Sequence, residues 1–106
     1  MSFAAYAQLD SVNADDRYHA ALLHAQIGEY AKALALADTI LARTPDHLFG
    51  WVVRAVVAQA QGNSSALAAN RKAFLEHYAA QIKLNRPEYQ EHAKALEEFR
   101  TQAQKN

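Results

Sequence analysis

The sequence contains no cysteine and few of the residues that interrupt secondary structure. Its 106 residues include three glycines and two prolines, whereas a sandwich or barrel of short strands needs a turn about every 8–12 residues. Because cysteine is absent, a disulfide framework and a zinc site built on thiolates are excluded. Helices joined by short turns therefore fit this composition better than a β-fold.

The chain also lacks a net charge and a long apolar run. Eleven lysines and arginines balance eleven aspartates and glutamates, so no overall field attracts nucleic acid or an acidic membrane surface. No run approaches the ~18 consecutive apolar residues of a membrane-spanning helix, and the first residues show no basic leader. We therefore expect one soluble domain over residues 1–106, located in the cytoplasm, with no nucleic-acid and no membrane partner.

What the sequence does contain is a succession of segments with helical spacing. Asn13 is a good helix cap, and Gly28 and Gly62 can take the left-handed conformation that often follows a helix end. Pro45 and Pro87 mark two further breaks. The pattern predicts six helices, over about residues 3–9, 14–27, 29–43, 47–61, 64–84 and 87–104.

The turn glycines Gly28 and Gly62 are 34 residues apart, and this is the period of the tetratricopeptide repeat. The segment Gly-Glu-Tyr-Ala-Lys-Ala-Leu that begins at Gly28 resembles that family's turn and the small residue after it, and Pro45 falls where a repeat ends. In the second unit, Trp51 and Ala55 match the family's large and small first-helix residues. The chain thus resembles the tetratricopeptide repeat family over about residues 14–82.

Several positions depart from the family pattern. Arg54 stands where the family has leucine, Ala37 where it has a large aromatic residue, and His24 and Ala58 where it has tyrosine; the second unit also lacks the terminal proline. The resemblance nevertheless implies an all-α fold, a right-handed superhelical stack of antiparallel helix pairs. Its parts would be an N-terminal helix and turn (1–13), two repeats (14–47 and 48–84) and a C-terminal capping helix (85–106).

In this family the first helix of each hairpin lines a concave surface where partner peptides lie. Carried onto this chain, the resemblance places mostly apolar side chains on that surface and no lysine–asparagine clamp for a carboxyl terminus. Either an apolar segment of a partner fills the groove, or the chain's own first or last helix does. The groove residues expected from the resemblance are Tyr18, Leu22, Ala25, Phe49, Val52, Val56 and Gln59.

The predicted helix over residues 47–61 is apolar around most of its circumference, which is typical of a helix covered on several sides. We therefore expect it in the middle of the fold. Arg54 interrupts its apolar run, and a buried guanidinium needs a partner. Arg54 is either a polar anchor for an acidic group of a partner, half of an internal ion pair, or a side chain that reaches out to solvent.

The sequence shows no nucleophile beside a base, no glycine-rich phosphate loop and no metal-binding motif. His19 and His24 are five residues apart, whereas two ligands on one helix face need a separation of three or four. His77 and His92 lie on different helices and meet only if these pack antiparallel. We expect no enzyme activity, no cofactor and no metal.

The function that follows from the fold is binding. We expect a protein-interaction module, an adaptor, assembly factor or chaperone-like protein that takes a protein or peptide partner in its groove. The first alternative is a structural homo-oligomer, such as a homodimer, that uses the same groove for self-association. A helical metal-binding or catalytic domain is the second alternative, and its motifs are missing.

Overall fold

A computed structural model of the protein describes residues 13–105, and over this range it contains α-helices and no strand. The all-α expectation is therefore confirmed for these residues, while the helix expected over residues 3–9 lies outside them. The helices are α1 (Ala14–Gln26), α2 (Tyr30–Arg43), α3 (Leu48–Ala60), α4 (Ser64–Ile82), α5 (Pro87–Glu91) and α6 (Ala93–Gln104).

The helix boundaries follow from local side-chain chemistry. The Asn13 side chain accepts a hydrogen bond from the Asp16 amide at 3.0 Å, and Asn63 caps α4 in the same way through the Ala66 amide at 3.0 Å. Gly28 and Gly62 have φ angles of +83° and +71°, which L-residues with a side chain rarely adopt. These two turns are the ones that the sequence predicts.

The central position of α3 is confirmed. Helix α1 packs on α2, and α3 packs on α4 and also on α2 and α1. Five of its side chains are at most 1% exposed, so water is excluded from much of the helix. These side chains are Leu48, Phe49, Val53, Ala55 and Val57.

Small residues allow the helices to approach closely. Ala21 in α1 and both Ala33 and Ala37 in α2 are fully buried, which matches the alanine-rich composition. Between α2 and α3 the contact is closer still, because a methyl group added at Gly50 would collide with the side chain of Leu41. The spacing between α2 and α3 therefore depends on glycine at position 50.

The C-terminal region differs from the sequence prediction, which has one helix over residues 87–104. In the structure this helix is interrupted at His92, which has φ −114° and ψ 24°. The short α5 ends before His92, and α6 packs on α4, where the Phe99 and Phe74 rings lie 4.6 Å apart. No glycine or proline is present at the break, where His92 contacts Asp15 of α1 and the Phe49 ring of α3.

Within residues 13–105, no helix combines the length and the apolar character that crossing a membrane requires. The expected cytoplasmic location stays a prediction.

The burial of α3 gives a first test. Trp51, which occupies the large core position of the resembled repeat, is only partly buried, whereas Phe49 is 0% exposed. Phe49→Ala should therefore lower the free energy of unfolding by about 3–5 kcal/mol, and Trp51→Ala by less. Urea denaturation followed by circular dichroism measures both; a larger loss for Trp51→Ala would mean that α3 is rotated about its axis.

Candidate functional site

The expected groove residues lie on two helices that pack against each other, α1 and α3. The rings of Tyr18 and Phe49 stack with their centroids 4.3 Å apart and their planes 21° from parallel. The structure therefore brings together the two helices that were expected to line the groove. It also shows that the groove is not uniformly accessible.

Burial divides the groove residues into three groups. Tyr18, Ala25, Phe49 and Val52 are buried, Leu22 and Val56 are partly buried, and Gln59 is exposed. Phe49, with 0% exposure, does not line a surface that a partner could touch, so its place in the expected groove is corrected. Leu22, Val56 and Gln59, in the C-terminal halves of α1 and α3, form what we term the open half of the groove.

The chain's own C-terminal segment covers the other half. His92, between α5 and α6, lies edge-on to Phe49 at 5.4 Å and to Tyr18 at 5.5 Å. Tyr89 of α5 contacts Phe49 edge-on at 5.7 Å. Edge-to-face pairs of this kind add to the stabilisation that burial alone provides. The chain's own C-terminal segment therefore lies against Tyr18 and Phe49.

A buried polar network holds this covering segment in place. The Tyr89 hydroxyl accepts a hydrogen bond from the Leu48 amide at 2.9 Å and donates one to the Gln81 side chain at 2.7 Å. Burial raises the pKa of Tyr89 to about 12, so the hydroxyl keeps its proton. One phenol group therefore joins α5 to the start of α3 and the end of α4.

His47 is the cap of α3 and belongs to the same network. Its Nδ1 accepts a hydrogen bond from the Phe49 amide at 3.1 Å, so the proton of the neutral ring sits on Nε2, which donates to Glu88 at 2.9 Å. Burial lowers the pKa of His47, and the carboxylate of Glu88 opposes this shift. His47 therefore acts as a neutral hydrogen-bonding residue inside the fold.

Arg54 lies away from the groove. It is two residues from both Val52 and Val56, about 200° around a helix that turns by about 100° per residue. Its guanidinium pairs with Asp38 of α2 and lies 5.5 Å from the centre of the Trp51 ring. Of the alternatives for Arg54, the internal ion pair is therefore the one found, and Arg54 is not positioned as an anchor for a ligand of the groove.

His77 and His92 do not meet. The His77 ring stacks on Trp51 at 6.0 Å, and its Nε2 lies 3.3 Å from an oxygen of Asp46. His92 instead reaches α1, where its Nε2 lies 2.6 Å from Asp15 Oδ1. The sequence allowed these two histidines to meet if the last two predicted helices packed antiparallel. In the structure, His92 lies at a helix break and contacts Asp15 of α1 instead.

A cluster of three potential metal ligands results, formed by Asp15, His19 and His92. His19 Nε2 lies 3.2 Å from the same Asp15 oxygen that faces His92. The spacing between histidines does not reveal this cluster, but Asp15 and His19 are four residues apart on α1, the separation that places two side chains on one face. That pair was the available signal in the sequence.

The buried His47 gives a prediction about pH. Its pKa in the folded protein is lower than the ordinary 6.5, so below about pH 6.5 the unfolded chain binds a proton that the folded chain does not. This contribution to stability is present above pH 6.5 and is lost as the pH falls from 6.5 towards the folded pKa, with a slope of at most about 1.4 kcal/mol per pH unit for one proton.

His47→Asn isolates this effect, because asparagine also caps helices but does not titrate. Urea denaturation at a series of pH values between 8 and 5 should show a larger loss of stability on acidification for the wild type than for the variant. Equal pH dependence in the two proteins would contradict a lowered pKa of His47. The other histidines are common to both proteins and cancel in the difference.

Comparison with known proteins does not identify the chain: no family model, no curated protein and no solved structure matches it. The resemblance to tetratricopeptide repeats stays a prediction from the residues and the spacing of Gly28 and Gly62. The function is therefore inferred from the arrangement of the chain's own side chains.

Proposed function

We propose that the protein is a protein-interaction module, an adaptor, assembly factor or chaperone-like protein that works by binding rather than by catalysis. Its partner would be an apolar segment of another polypeptide, taken up at the C-terminal end of α1 and along the open half of the groove. The observation that carries this proposal is the exposure of Leu23 (63%) and Ile27 (71%), one turn apart at the end of α1.

Apolar surface of this kind is unusual on the described part of the chain. The large apolar side chains that stand out as exposed between residues 13 and 105 are Leu23, Ile27 and Leu84. Leu23 and Ile27 lie one turn apart on the same helix end as Leu22 of the open half of the groove, but on the other side of α1, so apolar side chains are exposed on more than one side of this helix end. Grouped exposed apolar residues are typical of interaction sites, whereas single ones are ordinary.

The order of helix contacts supports a stack of two tetratricopeptide-like hairpins. Each hairpin packs internally, α1 on α2 and α3 on α4, and the first helix of the second hairpin packs on both helices of the first. This is the order expected when one antiparallel pair stacks on the next. Under the proposal, α1 and α3 would supply the binding surface, as the first helices of hairpins do in the resembled family.

The chemistry of the surface limits what binds there. Leu22 and Val56 offer apolar area, and Gln59 offers an uncharged hydrogen-bonding group at its edge. No charged side chain is among these three, so a charged partner residue placed on them would lose water without gaining a counter-charge. A short apolar helix or strand of a partner protein fits this surface better than an acidic tail or a nucleic acid.

A double variant tests the surface. In Leu23→Asp with Ile27→Asp, both new carboxylates stay hydrated, so stability should change by less than about 1 kcal/mol, while partner binding should fall at least tenfold. Leu84→Asp is the matched control, because Leu84 is also exposed (55%) but follows α4. Affinity capture from the source cell with quantitative mass spectrometry compares the three proteins.

Partners lost in the double variant and kept in Leu84→Asp support the proposal. If all three proteins recover the same partners in the same amounts, the end of α1 is not the binding surface. If both variants lose the partners equally, nonspecific hydrophobic association explains the capture. Circular dichroism melting of each variant shows whether it remains folded.

A structural homo-oligomer is the second candidate, and the position of Leu23 and Ile27 favours it. Leu23 is two residues from both Ala21 and Ala25, so it lies on the side of α1 opposite to the buried one. In stacked helical hairpins this outer side receives the next unit, which a second copy of the chain would supply. Light scattering at several protein concentrations distinguishes the interaction module from the homo-oligomer. If the wild type is a monomer at every concentration, the homo-oligomer is excluded.

A further inference from the structure

The cluster of Asp15, His19 and His92 lies outside the surface proposed to bind a polypeptide. Asp15 Oδ1 lies 3.2 Å from His19 Nε2 and 2.6 Å from His92 Nε2. All three potential ligand atoms lie within 4.8 Å of one another. A tetrahedral metal ion with bonds of about 2.1 Å holds its ligand atoms about 3.4 Å apart, so small side-chain rotations would bring these atoms to that spacing.

We propose that Asp15, His19 and His92 bind one divalent transition-metal ion, of which Zn²⁺ is the best match. Two imidazole nitrogens and one carboxylate oxygen form a donor set that zinc accepts readily. Asp15 and His19 come from one face of α1, and His92 approaches from the connection between α5 and α6. Three protein ligands leave a fourth position for water.

The surroundings support a metal site more than a chance contact. Tyr18 packs against both rings, with its centroid 5.9 Å from that of His19 and 5.5 Å from that of His92. Asp15 and His92 are 23% and 19% exposed, whereas His19 is 56% exposed. One side of the cluster is therefore fixed by packed aromatic residues, and the other is open for an ion to enter.

Without a metal the same atoms satisfy one another, because both imidazoles can donate to the Asp15 carboxylate. Binding of the ion replaces these two hydrogen bonds with three metal bonds, and each ring must present a lone pair on Nε2, so its remaining proton moves to Nδ1. No oxidation or group transfer is involved. The metal acts as a structural clip between two parts of the chain.

The clip would join residues that are 77 positions apart, Asp15 and His92. His92 is also the residue at which the C-terminal helix breaks and which covers Tyr18 and Phe49. A metal bound there would hold the covering segment against α1. It would bind the folded chain and not the unfolded one, so the melting temperature should rise with metal concentration.

The test uses the full chain without an affinity tag, freed of metal by chelator, and Zn²⁺ as the probe. Isothermal titration should show one Zn²⁺ per chain, and addition of Zn²⁺ should raise the melting temperature. His92→Gln and His19→Gln should each weaken Zn²⁺ binding at least about tenfold and reduce the rise in melting temperature at the same Zn²⁺ concentration. His77→Gln is the control, since His77 also pairs with a carboxylate but lies outside the cluster, and it should behave as the wild type.

Cobalt gives an independent readout of geometry, because Co²⁺ with four ligands in a tetrahedron absorbs visible light far more strongly than hydrated Co²⁺. If His92→Gln fails to fold, His19→Gln decides, since His19 is largely exposed and its loss leaves the packing intact. Absence of Zn²⁺ binding in the wild type would overturn the proposal. So would equal weakening in His19→Gln and His77→Gln, which would indicate binding to scattered surface histidines.

Discussion

The first turn of α3 begins inside the protein, where its free backbone amides have no water to bind. A buried amide without a partner is costly, and here the Leu48 amide is satisfied by Tyr89 and the Phe49 amide by His47. Much of the C-terminal arrangement depends on this requirement. The hydrogen bond of Tyr89 to the Leu48 amide joins α5 to α3. Glu88 of the same helix accepts a hydrogen bond from His47, and His92 contacts the ring of Phe49.

The parts of the fold that the sequence predicts are those decided by neighbouring residues. Asn13 caps α1 because its side chain reaches an amide three residues ahead, and Gly28 and Gly62 end helices because their φ angles suit glycine. The central position of α3 was also predictable, since its apolar residues cover most of its circumference. For the groove, contact between α1 and α3 was expected, and the stacked rings of Tyr18 and Phe49 show that these two helices are in contact.

The parts that the sequence does not predict depend on residues far apart in the chain. The break at His92 has no glycine or proline to signal it, and His92 contacts α1 and α3 there. His47 looks like an ordinary polar residue until Tyr89 and Glu88, more than forty positions away, enclose it. The spacing of four residues between Asp15 and His19 was visible in the sequence. The third residue of the cluster, His92, is brought close to them only by the fold. Local periodicity therefore located the helices, whereas the contacts of His92 with Tyr18, Phe49 and Asp15 required the three-dimensional structure.

The close contact at Gly50 has a consequence for recognition. Because α2 and α3 touch where a methyl group at position 50 would collide with Leu41, glycine at this position allows their close approach. The spacing between α2 and α3 is then a property of the fold itself. A preformed surface loses little conformational entropy on binding, so more of the contact energy appears as affinity. If the proposed binding surface is the functional one, this fixed spacing would favour partners of matching shape.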